Sequence, residues 1–362
     1  MANDSHYMRK ALALAERGRG TTSPNPMVGA LVVDADGVIV GRGAHRVAGG
    51  PHAEVIALED AGPRARGATL YCTLEPCAHT GRTGPCAPLV SAAGIARAVI
   101  AMEDPNPRVD GRGLSHLRDR GIAVTVGVEK PRAVEQNAVF LTNVRERRPY
   151  VILKAALSAD GKLAAGPGVR TYLTGATANR RIHRQRAEVD AIAVGSGTIL
   201  ADDPLLTARG AYRGRPLTRI VFDRRLQTPP GARVLSTVAA GPVIIVSTSA
   251  GCADKRSEVS ALTAAGARVL QAPGPGLANA LPALYESGIT SIVLEGGAAL
   301  HRAALDEGLV DAVHLYIAPP LLGDGAVDWI GGGHIAWDSL RQRHATWLDD
   351  VILVEGYVHR TG

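Results

Sequence analysis

Three residues able to ligate a metal stand in the first quarter of the chain: His52, Cys77 and Cys86. One imidazole nitrogen and two thiolates leave the fourth position of a tetrahedral zinc open for water, as catalytic zinc requires and structural zinc does not. Glu54 stands two residues beyond the ligand His. A carboxylate placed there can take a proton from the attacking water and deliver it to a leaving nitrogen without being a ligand itself. These residues read as a catalytic zinc site with Glu54 as its proton carrier.

The order His-x-Glu, Pro-Cys, Cys is that of zinc deaminases, which usually bring both thiolates from one Cys-x-x-Cys turn. Here eight residues, 78–85, separate Cys77 from Cys86, among them Gly81, Gly84 and Pro85. A loop must fold back to deliver Cys86. Upstream, Pro24 and Pro26 lock the backbone around Asn25, so its amide keeps a fixed direction and loses little entropy on meeting a ligand. His45 lies in the Gly-rich loop that leads to His52.

The elements that must position these groups can be read in outline. Met8, Ala11, Leu12 and Ala15 recur at helical spacing behind Asp4 or Ser5 as N-cap, which predicts a helix over 5–17. Two apolar runs around Asp34 to Gly37 predict a β-hairpin. A helix over 52–60, burying Val55, Ile56 and Leu58, and a strand over 68–74 would bring His52, Glu54 and Cys77 to one sheet edge. Strand and helix alternate onward to 126, and Asp104-Pro105-Asn106-Pro107 repeats the proline-locked Asn.

A second unit begins after Arg148. Strands are predicted over 150–156, 191–194, 219–222, 243–247, 268–270, 291–294, 312–317 and 350–355, a largely parallel sheet with an antiparallel C-terminal part. Ile292 to Gly297 followed by 298–306 reads as strand, Gly-Gly turn and helix, whose free N–H groups suit a dinucleotide phosphate. A second loop runs from Gly195-Ser196-Gly197-Thr198 through Asp202 to Arg209, carrying hydroxyls, two carboxylates and an arginine.

Composition bounds the partners. With 362 residues, 46% of them hydrophobic, the chain can build two cores. Four cysteines, two of them claimed by the metal, leave no disulfide framework, so a cytoplasmic protein is expected. No uninterrupted apolar run approaches spanning length, so no membrane partner is expected. The net charge of +6 is spread over scattered arginines, and two Phe and three Trp offer little base stacking. No nucleic-acid partner is expected; the charge suits anionic small molecules.

Taken together, the motifs resemble the bifunctional riboflavin-biosynthesis deaminase/reductase family over nearly the whole chain. The first half matches in Pro24-Asn25-Pro26-x-Val28-Gly29, Gly43-x-His45, His52-Ala53-Glu54, Thr73-Leu74-Glu75-Pro76-Cys77, His79-x-Gly81-Arg82-Thr83 and Asp104 to Pro107. The long Cys77 to Cys86 loop is itself a family mark. This resemblance implies a zinc-dependent pyrimidine deaminase domain over residues 1–147 with a cytidine-deaminase-like α/β/α fold. It implies Asn25, His45 and His79 as substrate contacts, with Asn106 beyond them. The second half matches in Leu153-Lys154-x-Ala156, Ser158-x-Asp160-Gly161-Lys162, Asp190-Ala191-Ile192, Gly195 to Thr198, Ala201 to Pro204 and Glu295-Gly296-Gly297. It implies a dihydrofolate-reductase-like α/β domain over 148–362 that uses NADPH. By the same resemblance Ala156, Tyr172, Thr198, Asp202, Gly296 and Gly297 hold NADPH, and Arg186, Leu206, Arg209 and Glu295 hold the substrate. Ala159 stands where the family commonly has Leu, Tyr172 where it often has Trp, and Arg170 where some members have a small hydroxyl residue near the substrate.

The implied substrate is a pyrimidine ribosyl phosphate, 2,5-diamino-6-ribosylamino-4(3H)-pyrimidinone 5′-phosphate. Its ring amine is replaced by oxygen and its ribosyl group is reduced to ribityl, with Arg186 and Arg209 expected to hold the 5′-phosphate bidentately. A homo-oligomer is the expected assembly. A nucleic-acid-editing zinc deaminase with an accessory domain is the rival enzyme, set aside by the reductase motifs. A binding protein with structural zinc is the rival of another class, set aside by the open fourth position and Glu54.

Overall fold

The computed structural model describes residues 2–78, 84–107, 109–332, 335 and 337–358. The chain divides into two compact units, Met1–Glu146 and Arg147–Arg360. His79, expected as a substrate contact, lies outside the described residues.

Unit 1 opens with α1 (Ala2–Ala15), whose Met8, Ala11, Leu12 and Ala15 are all buried against the sheet as their spacing predicts. Asp4 is not a cap, because it sits inside the helix's first turn. Its carboxylate accepts from Tyr71 Oη at 2.8 Å and from both Arg97 Nη atoms at 2.9 and 2.8 Å, tying α1 to the sheet. There follow β1 (Gly29–Val33), β2 (Ile39–Ala44), α2 (Ala53–Ala61), β3 (Thr69–Cys72), α3 (Cys86–Ala92), β4 (Arg97–Ile100), α4 (Arg112–Asp119), β5 (Ala123–Val126), α5 (Lys130–Gln136) and α6 (Ala138–Glu146). The sheet order is β2-β1-β3-β4-β5. Strands β1 and β2 form the predicted antiparallel hairpin, while β3, β4 and β5 run parallel. Strands β2 and β3, both antiparallel to β1, bring their carboxyl ends to one edge, and the residues after them carry the chemistry there.

The face α2 buries differs from the predicted one. Ala53, Glu54, Ala57 and Ala61 are buried, whereas Val55, Ile56 and Leu58 are half-buried. The reason lies in β2 beneath it. A Cβ at Gly43 would stand 1.9 Å from Ala53 O, and one at Gly41 would stand 2.1 Å from Ala57 O. Helix and strand approach so closely that only small residues fit between them, and the bulky ones turn to the flanks.

Unit 2 contains β6 (Tyr150–Ser158), β7 (Lys162–Ala164), α7 (Ala176–Glu188), β8 (Ala191–Gly195), α8 (Ser196–Asp202), β9 (Thr218–Phe222), β10 (Val243–Thr248), α9 (Ser249–Asp254), α10 (Arg256–Ala264) and β11 (Arg268–Ala272). After these come α11 (Leu281–Glu286), β12 (Ser291–Leu294), α12 (Ala298–Asp306), β13 (Ala312–Ala318), β14 (Val327–Asp328), β15 (Arg341–Leu348) and β16 (Val351–Tyr357). Nine strands pair in the order β11-β10-β9-β8-β12-β6-β13-β16-β15. All are parallel as far as β13; β16 and β15 add antiparallel. Ala191, Ala193, Ile244 and Val246 enter one core and Ile192, Val194, Val243 and Ile245 the other. Both faces are covered, which is why these strands read as continuous apolar runs rather than alternating ones.

Candidate active sites

His52 holds the N-cap position of α2, Cys77 follows β3, and Cys86 is the first residue of α3. One ligand atom of each lies within 4.8 Å of the others. His52 Nδ1 is 3.2 Å from Cys86 Sγ and 3.6 Å from Cys77 Sγ. Zinc–nitrogen and zinc–sulfur bonds of about 2.0–2.1 and 2.3 Å at the tetrahedral angle imply an N–S edge of about 3.5 Å, so the three atoms are spaced for one ion. The electrostatics of the thiols also suit a cation. Hydrogen bonding from Cys86 holds Cys77 down to about 4 against its burial, while Cys77 and burial push Cys86 far up. Two thiols in contact keep one proton between them, and both become thiolates only beside positive charge.

Glu54 lies on the buried face of α2, 3% exposed. Burial pushes its carboxyl up to about 7; a cation at the neighbouring ligands pulls in the opposite direction. His45, expected in an open loop, is buried and meets His52 edge to face with ring centroids 5.5 Å apart. Its Nδ1 lies 3.0 Å from Pro51 O. A carbonyl only accepts, so Nδ1 carries the proton and Nε2 accepts from Asn25 Nδ2 at 3.1 Å. The structure thus brings together Asn25, His45, His52, Glu54, Cys77 and Cys86.

Glu75 belongs to a motif but its work was not read from it. Its carboxylate is buried and accepts four backbone N–H groups: Asp104 and Gly111, each at 3.2 Å, on Oε2, and Gly113 at 2.9 Å and Leu114 at 3.2 Å on Oε1. It fastens the 104–111 segment and the start of α4 to the strand end that delivers Cys77. Glu75→Gln turns one acceptor oxygen into a donor facing N–H groups, so unit 1 should lose on the order of 2–4 kcal/mol. Denaturant midpoints of the variant check this; an unchanged midpoint would contradict it.

The second site is at the carboxyl edge of the unit 2 sheet. The register Leu294↔Leu153 between β12 and β6 sets Glu295 beside Lys154. Glu295 accepts from Arg186 Nε and Nη2 at 2.6 and 2.7 Å, and Lys154 Nζ stands 3.7 Å away. Burial alone would raise the Glu295 carboxyl; Arg186 and Lys154 outweigh it and hold it down to about 2. Burial also holds the Lys154 ammonium below its ordinary range, against Glu295. Lys154 was quoted only as part of a motif; a buried cation on a parallel strand is the signal that could have found it.

Gly296 has φ of +134°, open in practice only to glycine. A Cβ at Gly297 would stand 3.5 Å from Thr198 Oγ1, so the Gly-Gly turn at the start of α12 faces the first turn of α8. Beside them a cavity of about 530 Å³ opens at the ends of β8 to β11, lined by Gly195, Ser196, Gly197, Arg224, Arg225, Thr248 and Leu300 among others. Asp202 closes α8 and Ala156 lies on β6. Tyr172 is exposed under the Arg170 guanidinium, 5.0 Å from its ring centroid. Leu206, expected to touch substrate, has its side chain in the core, so only its backbone can do so. The bidentate phosphate clamp is also corrected. Arg186 spends its fork on Glu295 and its remaining Nη1 on Thr207 O at 2.9 Å, while Arg209 is exposed.

A His-Cys-Cys cluster spaced to hold one metal ion beside a buried glutamate, followed by a parallel-sheet unit with a glycine turn and a cofactor-sized cavity, defines a two-domain deaminase and reductase. The cytidine and deoxycytidylate deaminase zinc-binding region matches residues 1–102, and the RibD C-terminal domain matches residues 149–354. The chain belongs to the RibD family of bifunctional riboflavin-biosynthesis enzymes, with zinc and NADPH as cofactors. It is 42% identical to riboflavin biosynthesis protein RibD of Aquifex aeolicus over 322 residues, 89% of this chain and 88% of that one. It is likewise 42% identical to that of Escherichia coli K12 over 329 residues, 89% of each. Acinetobacter baumannii RibD superposes with TM-score 0.87 at 35% identity over 99% of both chains. A diaminohydroxyphosphoribosylaminopyrimidine deaminase/5-amino-6-(5-phosphoribosylamino)uracil reductase from Thermotoga maritima superposes with TM-score 0.85 at 32% identity, covering 98% and 99% of the two chains. Among the described residues no helix is long and apolar enough to cross a membrane.

Proposed function

We propose that residues 1–147 deaminate 2,5-diamino-6-ribosylamino-4(3H)-pyrimidinone 5′-phosphate and that residues 148–362 then reduce its ribosyl group. The product is 5-amino-6-(5-phospho-D-ribitylamino)uracil. The observation that carries the reading is the convergence of His52, Cys77 and Cys86 within 4.8 Å beside the buried Glu54. When bound, zinc supplies Lewis-acid activation of the attacking water. Glu54 takes that water's proton and returns it to the departing ring amine. Asn25, its Nδ2 fixed by His45, orients the ring, and buried His45 stays neutral because desolvation lowers its pKa. In the second half NADPH, when bound, supplies the hydride. Glu295 and Lys154 offer the sugar one fixed acceptor and one fixed donor. Arg209 and the charge of Arg186 attract the 5′-phosphate.

The glycine turn, Thr198 and Asp202 lie where the cofactor phosphates would pass, and the adenosine half would occupy the cavity of about 530 Å³. Arg224 and Arg225 are exposed and pair with no carboxylate among the described residues, which suits a 2′-phosphate. Replacing both with Ala should raise the KM for NADPH roughly tenfold or more and erase any preference over NADH. An unchanged preference would remove this part of the reading. Action in the cytoplasm is supported by four free, buried cysteines. The basic charge is scattered along the chain and aromatics are few, with two Phe and three Trp, which supports a small-molecule substrate over nucleic acid. A homo-oligomer is supported by β15, an edge strand with Trp347 69% exposed; a monomer in sedimentation velocity would argue against it.

The test of the whole is direct. Purified protein incubated with the pyrimidine phosphate should release ammonia without NADPH and consume NADPH only after deamination. Absence of both products would sink the proposal.

A further inference from the structure

Met27 lies just beyond Asn25 and outside the strand pairing of β1, which begins at Gly29. Its backbone is held by one side chain instead. The Met27 N–H donates to Asn137 Oδ1 at 2.8 Å, and Asn137 Nδ2 donates to Met27 O at 3.0 Å. One carboxamide thus supplies the acceptor and the donor that a neighbouring strand would. Asn137 is buried, 2% exposed, where α5 meets α6. Its own N–H donates to Ala133 O at 3.1 Å and its C=O accepts from the Leu141 N–H at 2.9 Å, while Gln136 beside it donates to Leu12 O on α1 at 3.0 Å. The join of the two helices is therefore fixed by bonds of its own before it meets Met27.

Where Met27 is held, Asn25 must follow. Pro26 is the one residue between them; its ring fixes its own φ and restricts the residue before it. Neither Pro24 nor Pro26 has an N–H by which the segment could be anchored. It is held on one side by His45, whose Nε2 accepts from Asn25 Nδ2 at 3.1 Å and whose backbone N–H donates to Val28 O at 2.9 Å. On the other side stands Asn137. The match to the deaminase zinc-binding region ends at residue 102, whereas unit 1 runs on to Glu146. We infer that Asn137, beyond that region, is a positioning residue of the deaminase site, setting through Met27 where the Asn25 carboxamide meets the pyrimidine ring. The inference rests on the reading of Asn25 as a ring contact given above.

The test is a double-mutant cycle in the full chain, read as ammonia release from the pyrimidine phosphate without NADPH. Asn137→Ala should lower kcat/KM for deamination roughly tenfold, mainly through KM, with zinc content unchanged and reduction of the deaminated compound near wild type. Placed in an Asn25→Ala chain, the same substitution should cost less than about twofold, because a residue that acts only through Asn25 has nothing left to position. A purely structural role would give the same loss in both backgrounds, and that result would overturn the inference. If Asn25→Ala slowed deamination and Asn137→Ala did not, the reading of Asn25 would stand and that of Asn137 would fall. If Asn25→Ala left deamination unchanged, both would fall together. Should Asn137→Ala fail to fold, as judged by circular dichroism and lost zinc, Asn137→Asp enters the same cycle. It keeps the volume and the acceptor for the Met27 N–H and removes only the donor, and an equal loss in the two backgrounds would again overturn the inference.

Discussion

Glu54→Gln should retain the metal and slow deamination by roughly 10²- to 10⁴-fold, the scale of a positioned acid/base group. The residue lies outside the ligand set: His52, Cys77 and Cys86 supply the three atoms within 4.8 Å, and Glu54 is buried beside them. Gln keeps the volume and one acceptor oxygen, so the packing of α2 against Gly41 and Gly43 is undisturbed. What it loses is a group able to exchange a proton. Zinc content, measured by atomic emission, should match wild type, and ammonia release should report the rate. Full metal with unchanged turnover would remove Glu54 from the mechanism. Loss of metal would move it into the ligand set.

Much of this site was legible because its chemistry is local. His52 and Glu54 share one helical start, and Cys77 follows a buried strand five residues past its end, so spacing alone placed them at one edge. The apolar positions Met8, Ala11, Leu12 and Ala15 were equally readable, since one helical face buries against one sheet. What escaped depended on partners far away in sequence. Asp4 looked like a cap because local rules favour it there; Tyr71 and Arg97 claimed it instead. The buried face of α2 was misjudged because two glycines on β2 decide what fits beneath it. Strand β15 gave no signal at all. It is exposed along nearly its whole length and exists by pairing with β16, so no alternation of buried residues marks it. Helices α5 and α6 likewise were not anticipated between 127 and 146.

In the second half the division falls at the same place. Strands buried on both faces announced themselves, but the charges among them did not. Lys154 stood inside a quoted motif, and its meaning came only from the register that sets it beside Glu295.

Glu295→Gln should cost both the reductase and the unit that carries it, while leaving deamination intact. The carboxylate pairs with both Arg186 and Lys154, whose side chains are only 15% and 10% exposed. Without it two buried cations face each other unpaired, a loss on the order of 3–5 kcal/mol. The pH dependence carries the sign. The folded group is held down to about 2 from an ordinary 4.5, so its contribution is complete above about pH 4.5 and fades as pH falls towards 2. Wild-type unit 2 should therefore lose stability on acidification through that window, and the variant should lack this part of the slope. The chain's three tryptophans, Trp329, Trp337 and Trp347, all belong to unit 2, so fluorescence during denaturation follows that unit alone. Reduction of the deaminated substrate should fall by roughly 10²-fold or more, because the sugar loses its fixed acceptor and Lys154 its partner. Ammonia release from the same preparation should stay near wild type, since zinc chemistry lies in unit 1. Equal stability at pH 7 with an unchanged acid slope would refute the ion-pair account. Loss of deamination in protein whose unit 1 is folded would refute the separation of the two sites.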